Sequence, residues 1–295
     1  MKFCQALIGL PAEWYVPVSV AAEAAGFDMV GLSDHVIHPE SLASNYPYTP
    51  DGKPQYEPEW DFPDCWVTVG AMASATSRLQ FVTNVYVLPA RNPLVVAKAV
   101  GTAAVLSGGR VLLGVGAGWM REEFEALGQS FEARGRRMDE TIDVLRSLWT
   151  DGSVEYHGDQ IDLPALAMRP VPERRVPVLV GGHSSVALRR AARNDGWIGV
   201  NYTLDQLEEY CTIIHGLRSE AGMSAAPFEI VASPLAVPDA RTVERLESMG
   251  VSTIMTSAWI AQRRGVPTLL DEAIECVTSY GEQWIAPLAM MVGYG

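Results

Sequence analysis

The feature that most constrains the fold is an alternation of apolar, strand-like runs with helical runs. The clearest example starts with an apolar run at Leu79–Leu88, continues with an Ala- and Val-rich helical run at Leu94–Leu106, and ends with an apolar run at Val111–Val115. Ser107-Gly108-Gly109 should end the helix, because glycine accepts the positive φ that a helix C-terminus needs. A strand, a helix and a second strand within about 30 residues predict a parallel βαβ unit.

This alternation continues along the whole chain. The apolar, β-branched runs lie at Phe3–Ile8, Met29–Leu32, Leu79–Leu88, Val111–Val115, Val178–Val180, Trp197–Val200, Ile230–Leu235 and Thr253–Met255. The helical runs lie at Val16–Ala25, Cys65–Ala75, Leu94–Leu106, Arg136–Trp149, Ser185–Arg193, Asp205–Ala221, Ala240–Ser248 and Leu269–Tyr280. Strict alternation indicates an α/β fold with a parallel sheet covered by helices, and eight pairs predict a closed (β/α)8 TIM barrel. We expect residues 1–295 to form this single domain, with an open doubly wound sheet as the alternative.

Two connections are longer than a barrel needs, and they predict insertions after strands 2 and 4. The first, Val36–Asp64, is rich in Pro, Tyr and Asp, and its aromatic residues include Tyr46, Tyr48, Tyr56 and Trp60. Loops longer than about 12–15 residues are often lids, and a loop that follows a barrel strand lies at the catalytic face. The second, Ser153–Arg175, alternates polar and apolar residues around Gly158-Asp159, which is typical of a hairpin.

Composition excludes several classes of partner. The 295 residues carry 22 basic and 35 acidic side chains, a formal net charge of -13, which argues against nucleic acid and anionic membranes. The four cysteines show no CxxC spacing, so we expect no disulfide framework and a reducing compartment. Met1–Ile8 has the pattern of a strand, and no window of about 20 apolar residues could cross a bilayer. We therefore expect a cytoplasmic protein that acts on a small molecule.

Ser33-Asp34-His35 directly follows the second predicted strand and is the first candidate for chemistry. Side chains at the C-terminal ends of barrel strands point into the mouth of the barrel. Histidine is the natural proton carrier near neutral pH, and an adjacent carboxylate can orient it. We therefore predict His35 as proton donor or acceptor, with Asp34 as its partner. The alternative is that His35 only binds loop backbone.

The same segment raises the alternative of a metal site. Asp34, His35 and His38 could hold a divalent ion, as in metal-dependent hydrolases built on this barrel. An HxxH pair on an irregular loop does not converge as an i, i+4 pair on a helix does, and the chain has only five histidines. We therefore expect no metal, and keep a metal-dependent hydrolase as a less favoured hypothesis.

Two glycine motifs follow later strands. Gly114-Val115-Gly116-Ala117-Gly118 does not complete a dinucleotide-binding GxGxxG motif, because Trp119 and Arg121 occupy the final positions. Gly181-Gly182-His183-Ser184-Ser185 ends the fifth predicted strand and opens a helix. Exposed glycine N–H groups, a serine cap at Ser184 or Ser185, and the positive end of a helix predict an anion site suited to a cofactor phosphate.

Together these motifs resemble the luciferase-like superfamily of flavin- and deazaflavin-dependent oxidoreductases, and within it the branch that depends on coenzyme F420. The similar stretches are SDHV, LPARNP, LSGGR, GVGAGW and the block from Gly181 to Trp197. The resemblance extends from the first strand to about Trp284. It implies a barrel that binds F420, or alternatively FMN, at its C-terminal face.

The resemblance also implies roles for individual residues. His35 would lie beside the cofactor ring, and a cis peptide between Asn84 and Val85 would press against its back. Gly116 would let backbone approach the cofactor, and its phosphate would bind at Gly181, Gly182, His183 and Ser184. The substrate pocket would be lined by Tyr56, Trp60 and Trp119.

One position departs from the family pattern. Trp119 stands where some F420-dependent sugar and alcohol dehydrogenases carry a glutamate as proton donor, which puts simple alcohol oxidation in doubt. The nearby Glu122 and Glu123 are interpreted as charges that favour a helix N-terminus.

The resemblance implies hydride transfer between F420 and a small, partly apolar organic substrate. The alternatives are an FMN-dependent monooxygenase, which would use O2 and reduced flavin from a partner reductase, and a catalytically inactive binding barrel. Relatives of this kind commonly dimerise, so a homodimer is expected, with the apolar tail Pro287–Tyr294 against the partner. If Gly181 lies at the phosphate, Gly181→Val should weaken cofactor binding.

Overall fold

The structure is a computed structural model in which residues 1–288 are described. Within these residues the strands are β1 (Lys2–Ala6), β2 (Met29–Leu32), β3 (Gln80–Thr83), β4 (Tyr86–Val87), β5 (Val111–Gly116), β6 (Ser153–His157), β7 (Asp162–Ala167), β8 (Val178–Gly181), β9 (Gly196–Tyr202), β10 (Glu229–Pro234) and β11 (Thr253–Thr256). The helices are α1 (Tyr15–Ala24), α2 (Cys65–Ala75), α3 (Pro93–Leu106), α4 (Arg121–Ala126), α5 (Arg134–Thr150), α6 (Ser185–Ala192), α7 (Leu204–Glu220), α8 (Ala240–Ser248), α9 (Ala258–Ala261) and α10 (Leu270–Tyr280).

All strands except β6 and β7 form one parallel sheet that closes on itself. Going round the ring, β1 pairs with β2, β2 with β3, β3 and β4 with β5, then β5 with β8, β9, β10 and β11 in turn. The ring closes where β11 returns to β1, with Cys4 opposite Met255. Because β3 and β4 together occupy one position, the ring has eight strand positions, which we call staves. The predicted (β/α)8 TIM barrel is confirmed, and the open doubly wound sheet is wrong.

The barrel is filled by one apolar side chain from each stave. This interior layer consists of Cys4, Met29, Val82, Leu112, Leu179, Ile198, Val231 and Met255. Ala6, Val85 and Val200 pack against this layer and are only partly buried, so apolar groups adjoin the mouth. A larger apolar core lies between the outer side of the barrel and the helices. Burial on both sides explains why the strands are continuous apolar runs.

Capping residues fix where several helices begin. Asp64 accepts hydrogen bonds from the N–H groups at the start of α2, Asn92 does so for α3, and Thr203 for α7. At the other end of α3, Gly108 and Gly109 adopt φ of 66° and 82°, as predicted for this helix end. The helix N-termini thereby lie at the same end of the barrel as the strand C-termini.

Both predicted insertions are present. Residues 33–64, all of which are described, contain neither helix nor strand and connect β2 to α2. The second insertion forms the antiparallel hairpin β6–β7, with His157 opposite Asp162. It follows α5, and the connection from helix to strand lies at the end of the barrel away from the mouth.

Two further features concern the expected location and assembly of the chain. No helix within residues 1–288 is long and apolar enough to cross a membrane. The apolar tail Pro287–Tyr294 is expected to contact a second copy. Only its first two residues are described, and the rest lies outside the described residues.

Candidate functional site at the barrel mouth

The third stave is interrupted at the mouth. The peptide bond between Asn84 and Val85 is cis, as predicted, and it separates β3 from β4. The Asn84 N–H donates a hydrogen bond of 2.6 Å to the carbonyl of Leu32, the last residue of β2. This bulge therefore lies directly beside Ser33-Asp34-His35. Its contact with a cofactor ring stays a prediction.

Two glycines make room for the side chain of this bulge. A Cβ on Gly116 would lie 2.5 Å from Cγ2 of Val85, and a Cβ on Gly181 would lie 2.7 Å from Cγ1. Real Cβ atoms do not approach so closely, so neither position tolerates a side chain without moving Val85. In the structure Gly181 thus contacts Val85 of the bulge. Its contact with a cofactor phosphate stays a prediction.

Gly181→Val should weaken cofactor binding through this contact. The added side chain forces Val85 out of place, and overpacking of this kind costs about 1–3 kcal/mol, which is roughly a five- to a hundredfold change in an equilibrium constant. The measurement is the dissociation constant for F420 and for FMN by fluorescence titration. Gly70→Val on α2 is the matched control, because a Cβ on Gly70 meets nothing within 4 Å. Unaltered affinity in Gly181→Val would show that the bulge does not support the cofactor.

Asp34 contacts β4 and the loop that follows it, just after the bulge. Its carboxylate accepts hydrogen bonds from the Val87 N–H at 2.8 Å and from Nη2 of Arg91 at 2.6 Å. The guanidinium of Arg91 also donates to the Val87 carbonyl at 3.1 Å and lies 4.1 Å from the centre of the Tyr86 ring. Burial raises the pKa of Asp34, while Arg91 and the Val87 N–H act in the opposite direction. Asp34 thus joins the end of β2 to β4 and the loop that follows it.

The carboxylate that contacts His35 belongs to Glu123, which the sequence analysis did not select. Nδ1 of His35 lies 3.3 Å from Oε2 of Glu123, and the Val36 N–H donates to Oε1 at 2.6 Å. Glu123 is only 1% exposed, although it lies in the first turn of the short helix α4. A helix charge placed for the dipole alone would face solvent. The sequence signal was an acidic pair in the connection that follows a strand ending at the mouth, β5.

Aromatic rings surround the His35 imidazole. The ring centres of Tyr56, Phe62 and Trp119 lie 5.3, 5.2 and 5.9 Å from that of His35. The Tyr56 hydroxyl is buried and has no hydrogen-bond partner among residues 1–288. Burial, and next the charge of Glu123, raise the pKa of Tyr56, so its hydroxyl stays protonated. The predicted pocket residues Tyr56 and Trp119 are thus brought together with His35.

The remaining lid aromatics extend from this cluster towards β8. Tyr46 packs against Trp119 at 5.2 Å and against Tyr48 at 5.4 Å, and Tyr48 packs against His183 at 5.4 Å between ring centres. Trp60 lies in another part of the mouth, where its ring atoms are 3.3 Å from the position of a Cβ on Gly9.

Polar contacts fix the lid, residues 33–64, to loops around the mouth. Glu122 accepts hydrogen bonds from the N–H groups of Ala43 and Ser44 and from the Ser44 hydroxyl, at 2.7, 3.0 and 2.7 Å. Burial raises the pKa of Glu122, but these bonds and that from its own N–H outweigh it and lower the pKa to about 2. Asp61 accepts from the Ala12 N–H at 2.8 Å. The lid is thereby held at two places around the mouth, one after β1 and one after β5.

The connection from β8 to α6 is built as a turn with open donors. Gly182 has φ of 106°, and its carbonyl accepts a hydrogen bond of 2.8 Å from Nε1 of Trp197. Nδ1 of His183 and the hydroxyl of Tyr202 share a hydrogen bond of 2.8 Å. Ser184 caps α6 by accepting from the Ala187 N–H at 3.2 Å, which confirms one of the two predicted caps.

The residues considered for a metal site are separated by their contacts. Asp34 is paired with Arg91, and the exposed His38 packs its ring 5.9 Å from that of Tyr56. Across residues 1–288, no three His, Cys, Asp or Glu side chains are placed to share a metal ion.

Comparisons with known sequences extend over the whole barrel. The model of the luciferase-like monooxygenase family matches residues 14–278. An uncharacterized protein of Mycobacterium tuberculosis is 38% identical over 287 residues, which cover 97% of this chain and 99% of that protein. An F420-dependent glucose-6-phosphate dehydrogenase of Amycolatopsis mediterranei is 34% identical over 188 residues, which cover 62% of this chain and 52% of the enzyme.

Solved structures share the fold at low sequence identity. The monooxygenase RslO1 from Streptomyces bottropensis superposes with a TM-score of 0.75 at 18% identity, covering 97% of this chain and 99% of that one. The coenzyme F420 dependent tetrahydromethanopterin reductase from Methanopyrus kandleri gives 0.72 at 15% identity, covering 96% and 98%. The family model spans most of the barrel, and the mycobacterial relative aligns over nearly its full length. This chain therefore belongs to the luciferase-like monooxygenase family.

Proposed function

We propose that this protein transfers a hydride between coenzyme F420 and a small, partly apolar organic substrate, with His35 donating or accepting the accompanying proton. The observation that carries the proposal is the contact between buried Glu123 and His35 beside the Asn84–Val85 bulge. The dehydrogenase from Amycolatopsis mediterranei, whose name states F420 dependence, supports this choice of cofactor.

The residues at the mouth fit a flat ring with polar edges. Val85 is partly buried on the apolar interior layer, and the half-buried Asn84 side chain has no hydrogen-bond partner among the described residues. The unpartnered hydroxyl of Tyr56 provides a further polar group. Asn84, Val85 and Gly116 would hold the ring, and Gly181, Gly182, His183 and Ser184 would hold the phosphate side. When bound, the cofactor supplies or accepts the hydride, and the protein supplies orientation and electrostatics.

Glu123 determines which atom of His35 handles the proton. Nδ1–H of His35 donates to Glu123, so Nε2 is the atom left for the substrate. Asp34 is paired with Arg91, so the carboxylate that faces the His35 imidazole is that of Glu123. The aromatic rings around His35 exclude water, which strengthens these interactions. The geometry therefore suits an imidazole that holds a proton in one half of the reaction and releases it in the other.

Glu123→Gln should lower turnover roughly ten- to a hundredfold. The amide oxygen can still accept from Val36, but the amide NH2 cannot accept the Nδ1 proton, and a hydrogen bond between charged groups contributes about 1.5–3 kcal/mol. The measurement is kcat under saturating cofactor and substrate. Glu125→Gln, an exposed residue on the same helix, is the matched control. In a His35→Ala background the Glu123→Gln change should have little further effect. Equal losses in both backgrounds would remove Glu123 from the proton step.

Binding and oxygen measurements separate the proposal from its alternatives. We expect purified protein to bind F420 more tightly than FMN, and to oxidise reduced F420 with substrates from a panel of activated carbonyl and alkene compounds without consuming oxygen. Oxygen consumption with reduced FMN from a partner reductase would instead establish a flavin monooxygenase. Activity lost to chelators and independent of both cofactors would establish the metal hydrolase, and binding of F420 without turnover would leave a binding barrel.

A further inference from the structure

We propose that Tyr48 of the lid is a ligand of the cofactor phosphate, so that the lid and α6 together form the anion site. This inference rests on the proposed function, because it concerns the phosphate of the same cofactor. It adds a residue from the insertion to a site that the resemblance places only after the fifth barrel strand.

The position of Tyr48 carries the inference. Its hydroxyl oxygen lies 3.9 Å from where a Cβ on Gly182 would stand, and its ring meets that of His183 edge-on. The Tyr48 side chain is half-buried, and its hydroxyl has no hydrogen-bond partner among residues 1–288. Because this hydroxyl is unpaired and lies beside Gly182, it is free to donate to an anionic ligand bound at this turn.

His183 provides a second donor at the same place. Its Nδ1 is bound to Tyr202, and its ring is packed between Tyr48 and the stacked ring of Tyr210, whose centre is 6.1 Å away. The imidazole is thereby fixed in orientation, and Nε2–H is a donor in the tautomer in which Nδ1 accepts from the Tyr202 hydroxyl. This arrangement does not depend on the helix end that follows it.

The start of α6 completes the set of donors. Ser184 uses its hydroxyl oxygen as the cap, while the N–H groups of Ser185 and Val186 have no partner among the described residues. These N–H groups lie at the positive end of the helix, where phosphate oxygens bind favourably. Donors from the lid and from α6 thus face one location.

The chemistry of the donors suits an oxyanion. Burial, and next the neighbouring Tyr46, raise the pKa of Tyr48 to about 12, so the phenol keeps its proton at neutral pH and can only donate to an anion. A phosphate mono- or diester offers several acceptor oxygens for donors on different elements. Phosphate binding would therefore also hold the lid closed over the mouth.

The test is Tyr48→Phe, which removes the hydroxyl and keeps the ring against His183. Fluorescence titrations compare F420 with its deazaflavin riboside core, which lacks the phosphate, and FMN with riboflavin. We expect the variant to bind the phosphate-bearing member of each bound pair about tenfold more weakly and the riboside with unchanged affinity. Tyr46→Phe, on the neighbouring lid tyrosine that packs against Trp119, should change neither affinity.

Equal affinities of wild type and Tyr48→Phe for the phosphate-bearing cofactor would overturn the inference. So would an equal loss for cofactor and riboside in a variant whose thermal unfolding matches that of wild type. Hydrogen exchange gives a second readout that needs no variant: F420 should protect residues 44–50 of wild type more than the riboside does. Equal protection would contradict the proposal. Failure of wild type to bind any of these compounds would instead refute the proposed function itself.

Discussion

Replacement of His35 by alanine is expected to lower turnover by a factor on the order of 10² to 10⁴, the usual contribution of a positioned proton carrier. Cofactor affinity should change only a few-fold, because the ring-binding and phosphate-binding groups are on other strands. The loss should appear in kcat more than in KM, since the imidazole acts on the reacting atoms. Steady-state oxidation of reduced F420, followed by absorbance, measures both constants.

His38→Ala is the matched control for this prediction. His38 lies three residues further along the lid, is exposed, and packs against the same tyrosine. We expect its replacement to leave turnover close to that of wild type. In a metal-dependent hydrolase both histidines would be ligands, and both variants would lose activity together. Unchanged turnover in His35→Ala would remove this residue from the mechanism.

Asp34→Asn should have its main effect on stability. The Asp34 and Arg91 side chains are 5% and 16% exposed, so the substitution leaves a largely buried guanidinium without its counter-charge. Removing one partner of a buried ion pair costs about 3–5 kcal/mol. The measurement is the free energy of unfolding by denaturant, supported by the midpoint of thermal unfolding. Turnover per folded molecule should fall less than in Glu123→Gln.

An exposed ion pair provides the control for Asp34→Asn. Arg121 and Glu132 lie 2.5 Å apart, but their side chains are 45% and 70% exposed, so Glu132→Gln should hardly change stability. The opposite pattern for Asp34→Asn, with normal stability and abolished turnover, would restore Asp34 as the residue that orients His35.

The fold could be predicted because barrel strands leave a strong pattern. Strands buried on both sides are continuous apolar runs, and the run predicted at Val111–Val115 differs from β5 by one residue. The third stave was predicted as one strand over Leu79–Leu88, whereas Asn84 and Val85 divide it. Helix α4 is absent from the predicted helical runs because six residues are too few for a helical period to be recognised, although Glu122 and Glu123 were interpreted as charges at a helix N-terminus.

The carboxylate that contacts His35 in the structure differs from the predicted partner Asp34. Asp34 is adjacent in sequence, but successive side chains of extended chain point to opposite sides, so Asp34 faces Arg91 while His35 faces Glu123. That rule was available from the sequence and argues against a dyad of neighbours. Glu123 is 88 residues away, and its contact depends on how the lid and α4 pack, which no local pattern specifies.

The contacts of Gly116 and Gly181 likewise depend on a residue that is distant in sequence. Their presence after strands was a clear signal, and the predicted approach of their backbone to a cofactor stays a prediction. What fills the space beside them in the structure is Val85, a side chain from a third element, and this follows only from three-dimensional packing.

A crystal structure of the protein grown with F420 tests the central claim most directly. We expect the deazaflavin ring against Asn84 and Val85, with its edge beside Nε2 of His35 and its phosphate near Tyr48 and the start of α6. A ring bound outside the mouth, or a mouth that stays empty at saturating cofactor, would contradict the account.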